Sequence, residues 1–166
     1  MNDYQEKYEA ALGAMLVRFN ELEVKFTVIV SRALEIIGAS HLYARDARYI
    51  KNIEKMEIAH KALNWPTLDY ARMRRINVGR NRLAHGHLDR DQQTGEFSTI
   101  PANKKATGKN SGFMSIEDIE SLTEEIRSAL LEVADILPNA WFNEPEDVYS
   151  VALAQTKADL EALKRD

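Results

Sequence analysis

The feature that most limits this chain is the spacing of apolar residues in its first forty positions. Leu12, Met15, Leu16, Phe19, Leu22, Phe26, Ile29, Val30, Ala33 and Ile37 recur at intervals of three and four, the repeat that lines one face of an α-helix. Asn2 or Asp3 supplies a capping side chain at the start. Gly38 follows Ile37, where a left-handed residue ends a helix without strain. One amphipathic helix is therefore predicted from about Asp3 to Ile37.

The rest of the chain repeats the pattern. Ser40 is a candidate cap for a second helix carrying Leu42, Ile50, Ile53, Ile58 and Leu63, with room for a break near Asp46 and a stop at Trp65-Pro66. A third helix is expected from Thr67 or Asp69 to His85, where Gly86 gives the stop signal. From Gly86 to Gly112 the character changes. Phe97-Ser98-Thr99-Ile100 after Gln92-Gln93-Thr94-Gly95 reads as a short hairpin or irregular loop, followed by a lysine- and glycine-bearing stretch from Pro101 to Gly112. Ser115 with Asp118 forms a capping box for a fourth helix, striped by Ile116, Ile119, Leu122, Ile126, Leu130, Val133 and Leu137 and ended by Pro138. A fifth helix is expected over Glu146–Arg165, fit to pack on its own domain or on a partner subunit. The fold class is all-α: an up-down bundle of four to five helices with a short β-hairpin or irregular insertion after the third. One domain covers 1–166, its core at roughly residues 5 to 137 and its C-terminal extension helix in 138–166.

Composition removes whole classes of chemistry. The 166 residues include no cysteine, which excludes disulfides, thiolate nucleophiles and sulfur-ligated zinc. No run of about 18 apolar residues and no signal-like start occur, so the expectation is a cytoplasmic protein with no membrane partner. There is no phosphate-binding glycine loop and no nucleophile elbow. The formal charge of −4 argues against a general nucleic-acid coat, whose affinity rests on neutralised phosphates. Yet between Tyr70 and Leu88 stand Arg72, Arg74, Arg75, Arg80 and Arg82 with no acid among them.

Within that basic segment, Met73, Ile76, Arg80, Leu83 and Ala84 share one face of the third helix at about 100° per residue. A guanidinium on an apolar stripe needs a carboxylate, an anion or a cleft. Glu23, between Phe19 and Phe26 on the first helix, is the nearest obvious partner; snorkelling off the edge of the stripe is the plain alternative. His85 lies about 140° from Arg80 on an undistorted helix, and its place before Gly86 equally fits a helix cap. Asn81, one turn before His85, is placed to bond its ring and fix the tautomer. His85, His87, Asp89 and Asp91 alternate as metal ligands can in a strand, but a helical His85 and the turn at Gly86 break that phase, so no metal is assigned. His41 and His60 lack polar partners at telling spacing and read as surface or satisfied core residues.

The run Arg80-Asn81-Arg82-Leu83-Ala84-His85 resembles the Arg-polar-x-x-x-His motif of the HEPN superfamily, small helical domains found in RNase toxins, phage-defence proteins and RNA-processing enzymes. The likeness extends to the first helix at Val17-Arg18-Phe19-Asn20-Glu21-Leu22-Glu23, to a third helix closing as Leu83-Ala84-His85-Gly86, to the hairpin and to the Ser115-led helix. It implies a metal-independent endoribonuclease without cofactor, in which a 2′-hydroxyl attacks the adjacent phosphorus and leaves a 2′,3′-cyclic phosphate. On that resemblance His85 is general base or acid, Arg80 grips the phosphate, Asn81 orients His85 or donates to the phosphate, and Arg74, Arg75 and Arg82 contact the RNA backbone. It also implies a site shared across a homodimer, a role as toxin or antiviral defence effector, and an antitoxin or defence-system partner. The rival reading is a non-catalytic HEPN module for dimerisation or partner binding, since a fold does not confer function.

Overall fold

A computed structural model describes residues 3–43, 48–90, 97–101, 114–141 and 150–163, and of residues 85–90, 97–101, 141 and 150–152 it describes the backbone. The protein is all-α, with a single two-stranded insertion among the described residues. The order is α1 (Asp3–Ile36), α2 (Tyr49–Ala59), α3 (Tyr70–His85), β1 (Gly86–Arg90), β2 (Phe97–Pro101), α4 (Ile116–Trp141) and α5 (Ser150–Ala162). Short 3-10 turns at Ser40–Leu42 and His60–Ala62 flank α2. No helix among the described residues is long and apolar enough to cross a membrane.

The end of α1 follows from Gly38. Its φ of 73° lets the chain reverse, and the amides of Gly38 and Ala39 bond the carbonyls of Glu35 and Leu34 at 3.0 and 2.7 Å. These are the paired bonds of a Schellman cap. Residues 37–38 thereby leave the helix with its last carbonyls satisfied. The second helical segment divides: the Ser40–Leu42 turn has Ala39 in the capping position and no side-chain cap, and α2 starts afresh at Tyr49. Its buried face is Tyr49, Asn52, Ile53, Lys55, Met56 and Ala59, rotated from the predicted stripe, with Ile50 and Ile58 half-buried.

Two helix starts match the expectation. Asp69 Oδ1 accepts the Arg72 amide at 2.8 Å at the head of α3. At the head of α4, the Ser115 amide donates to Asp118 at 2.9 Å, and the Asp118 amide donates to Ser115 Oγ at 3.2 Å. That reciprocal pair is a capping box. One expected stop fails: α4 runs through Pro138 to Trp141. A proline costs a helix one amide donor and crowds the preceding turn, and here it falls in the last turn. Arg32 Nε, in turn, donates to the terminal carbonyl of Ala140 at 3.0 Å.

The chain divides into two compact units, residues 1–20 with 75–128 and residues 21–74 with 129–166. Each is discontinuous in sequence, and α1, α3 and α4 contribute a stretch to both. In the first unit Tyr8, Met15, Phe19, Ile76, Ile119, Leu122 and Ile126 are buried, and the same unit holds the antiparallel hairpin that pairs Gly86 with Pro101 and Arg90 with Phe97. In the second, Leu22, Phe26, Ile29, Ile53, Met56, Met73, Val133 and Ile136 form the core. There α5 packs on α2 and the His60–Ala62 turn, burying Thr156 and Leu160, so this helix covers its own unit. The turn at Gln92–Gly95, residues 102–112 of the lysine-bearing stretch, and Glu146 to Tyr149 lie outside the described residues.

Candidate functional site

The motif residues belong to the end of α3. Met73 and Ile76 anchor the helix in the protein interior, and Gly79 continues their face. A Cβ at Gly79 would lie 2.8 and 3.0 Å from the two Cδ atoms of Leu122 on α4, inside ordinary van der Waals separation. Glycine therefore lets α3 approach α4 one residue before Arg80.

Arg80 is half-buried, and its guanidinium carbon lies 5.2 Å from the centroid of the Phe19 ring, within cation–π range. Nη1 donates to Asn81 Oδ1 at 3.1 Å. Nε is buried and has no hydrogen-bond partner. Among the described residues no carboxylate stands within ion-pair distance of this guanidinium. A buried donor left unmatched costs about 1–3 kcal/mol, more when charged, so a native structure that keeps one invites an acceptor to it.

The other arginines of the basic segment have different surroundings. In the second unit, Arg72 bonds Glu132, whose other oxygen accepts the Asp69 amide at 2.9 Å, and Arg74 bonds Glu57. In the first, Arg75 Nε reaches Glu125 at 3.3 Å. Carboxylates remote in sequence thus neutralise three cations of the run. Arg82 is exposed and has no ion-pair partner among the described residues. Among the described residues, Arg80 and Arg82 are the arginines of the basic run that have no carboxylate partner.

Asn81 is half-buried and turned to Arg80, a role beside the one expected toward His85. His85 is the last residue of α3, and β1 begins at the next position, as predicted; its ring is outside the described side chains. His87 and Asp89 fall within β1, and Asp91 lies outside the described residues, so the alternating set does not share one strand with His85. Among the described residues no group of three or more His, Asp or Glu could hold a metal ion.

No family model, curated protein or solved structure matches this chain.

The contact of Phe19 with Arg80 and the partners of His60 escaped the sequence pattern. Phe19 reads in sequence as one more apolar residue of the α1 stripe, yet it is the α1 side chain that meets Arg80. Glu23, the expected partner, falls in the second unit, where burial first and then its charge push the Tyr49 phenol above its ordinary range. His60, expected to be a surface or satisfied core residue, bonds Tyr70 Oη through Nδ1 at 2.6 Å and the Trp65 carbonyl through Nε2 at 3.2 Å. It is a satisfied structural histidine tying the Trp65-Pro66 turn to α3.

Proposed function

We propose that the chain is a HEPN-type endoribonuclease that cleaves RNA without a metal cofactor, using Arg80, Asn81 and His85. The observation that carries this reading is Arg80: a half-buried guanidinium with an unmatched Nε and, among the described residues, no carboxylate partner, five positions before a histidine that closes the same helix. A planar, permanently charged donor set is suited to a phosphate.

In the proposed reaction a neutral His85 takes the proton from a 2′-hydroxyl, and O2′ bonds to the adjacent phosphorus. The bond from phosphorus to the 5′-oxygen breaks, and that oxygen is protonated by His85 of the partner subunit or by water. The products are a 2′,3′-cyclic phosphate and a free 5′-hydroxyl. An imidazole with an ordinary value of about 6.5 suits transfers in both directions near neutral pH. Arg80 would balance the charge that builds on the non-bridging oxygens. Arg82, with Arg74 and Arg75 once their carboxylates yield, would contact neighbouring phosphates.

A homodimer sharing the cleft, an antitoxin or defence partner, and a toxin or antiviral role belong to the same proposal. The decisive variant is His85→Ala, expected to keep its fold and mass while losing cleavage; cleavage at the wild-type rate would end the assignment. The rival binding module has one supporting feature, that Asn81 serves Arg80, as a purely structural clasp would. Such a module would show no turnover at any salt concentration.

A further inference from the structure

The contact between α1 and α3 assigns a role to a residue outside the motif. We infer that Phe19 is the positioning residue of Arg80, holding the guanidinium by its ring face so that the group is set for a phosphate before RNA arrives. The catalytic part of this inference rests on the nuclease reading; the coupling of the two side chains does not.

Three observations converge. Phe19 is 1% exposed and among the largest fully buried side chains, so its ring is fixed by packing. The guanidinium carbon stands 5.2 Å from the ring centroid, where the ring quadrupole attracts a cation, more strongly with water removed. Nε is buried and unmatched, and Nη1 is committed to Asn81 Oδ1. Ring, amide and burial together constrain the plane of the fork. Among the described residues Nη2 has no protein partner, so the side of the fork formed by Nε and Nη2 is the one left for an oxyanion. An arginine free to rotate would have to be ordered on binding, at the expense of affinity or rate. Phe19 removes that step without touching substrate.

The test replaces Phe19 with 4-fluoro-, 3,5-difluoro- and 3,4,5-trifluorophenylalanine, which drain the ring face of negative charge while nearly keeping its volume. Two readouts are taken on the full chain. The first is the Arg80 Nε–H resonance in ¹⁵N-edited NMR, which burial should make slow to exchange with water and the ring should shift upfield. The second is the single-turnover rate on RNA. Hydrogen exchange at Nε should accelerate step by step with fluorine count, and the cleavage rate should fall in the same order by about five-fold at three fluorines, with the melting midpoint lowered by no more than about 4 °C. Phe19→Leu should abolish the upfield shift.

An Nε–H that is indifferent to the fluorine series overturns the inference, because the ring then only fills space. Exchange that responds while cleavage stays constant overturns positioning for catalysis. A wild type that leaves RNA intact would defeat the nuclease reading instead, and the coupling would still be judged on the Nε–H series.

Discussion

Replacing Gly79 with alanine should act in opposite directions in two backgrounds. In the wild type the new Cβ meets Leu122 Cδ2 at 2.8 Å and Cδ1 at 3.0 Å. Leu122 is itself 7% exposed, so it has little room to turn away. Overpacking of this kind costs about 1–3 kcal/mol, whereas alanine in place of glycine inside a helix contributes about 1 kcal/mol. The difference leaves Gly79→Ala destabilising by about 1 kcal/mol. In a Leu122→Ala background, itself lowered by about 2–4 kcal/mol through the cavity, both offending methyl groups are gone. There Gly79→Ala should stabilise by about 1 kcal/mol through propensity alone. The two residues should then show a coupling of about 2 kcal/mol, within the usual span for touching side chains. Urea unfolding of the four proteins by far-ultraviolet circular dichroism measures it. The same sign and size of effect in both backgrounds would refute the close approach of α3 to α4 at this position.

Three further outcomes follow from named contacts. Asp69→Ala removes the acceptor for the Arg72 amide and should lower stability by about 1 kcal/mol, whereas Asp69→Asn should retain most of it, as equilibrium unfolding can show. Burial first, and then Glu23 and Glu57 respectively, raise the phenols of Tyr49 and Tyr70 above the ordinary value of 10.0. Their contribution to stability is complete below pH 10 and is lost as pH climbs through the folded-state values, because only the unfolded chain then sheds these protons. Absorbance at 295 nm should show these two of the six tyrosines ionising only on unfolding. For RNA binding, Arg82→Ala should reduce the salt slope by about 0.7, the single-strand value per phosphate contact. Arg75→Ala should reduce it less, since Glu125 already faces that cation; equal reductions would count against this distinction.

What could be read from the sequence was local. The α1 stripe with its Gly38 stop, the Asp69 cap, the Ser115–Asp118 capping box and the close of α3 at His85 are each written within a few residues. Their energetics depend on neighbours one turn away. Pro138 misled because the penalty of a proline depends on its place in the helix. At the final turn of α4, one lost amide bond did not outweigh the burial of Ala140 beyond the proline. The partners of the basic run were illegible for a different reason. Glu57, Glu125 and Glu132 lie on other helices, and only tertiary packing brings them to Arg74, Arg75 and Arg72. Phe19 and Arg80 are likewise far apart in the chain, and nothing in an apolar stripe marks which of its rings will face a cation.

The proposed role of Arg80 is to hold a phosphate. The direct measurement is incubation of wild type and Arg80→Ala with single-stranded and structured RNA in EDTA, followed by analysis of fragment ends. Fragments bearing 2′,3′-cyclic phosphate are expected from the wild type alone. RNA left intact by the wild type, or cut equally by both proteins, would contradict that role.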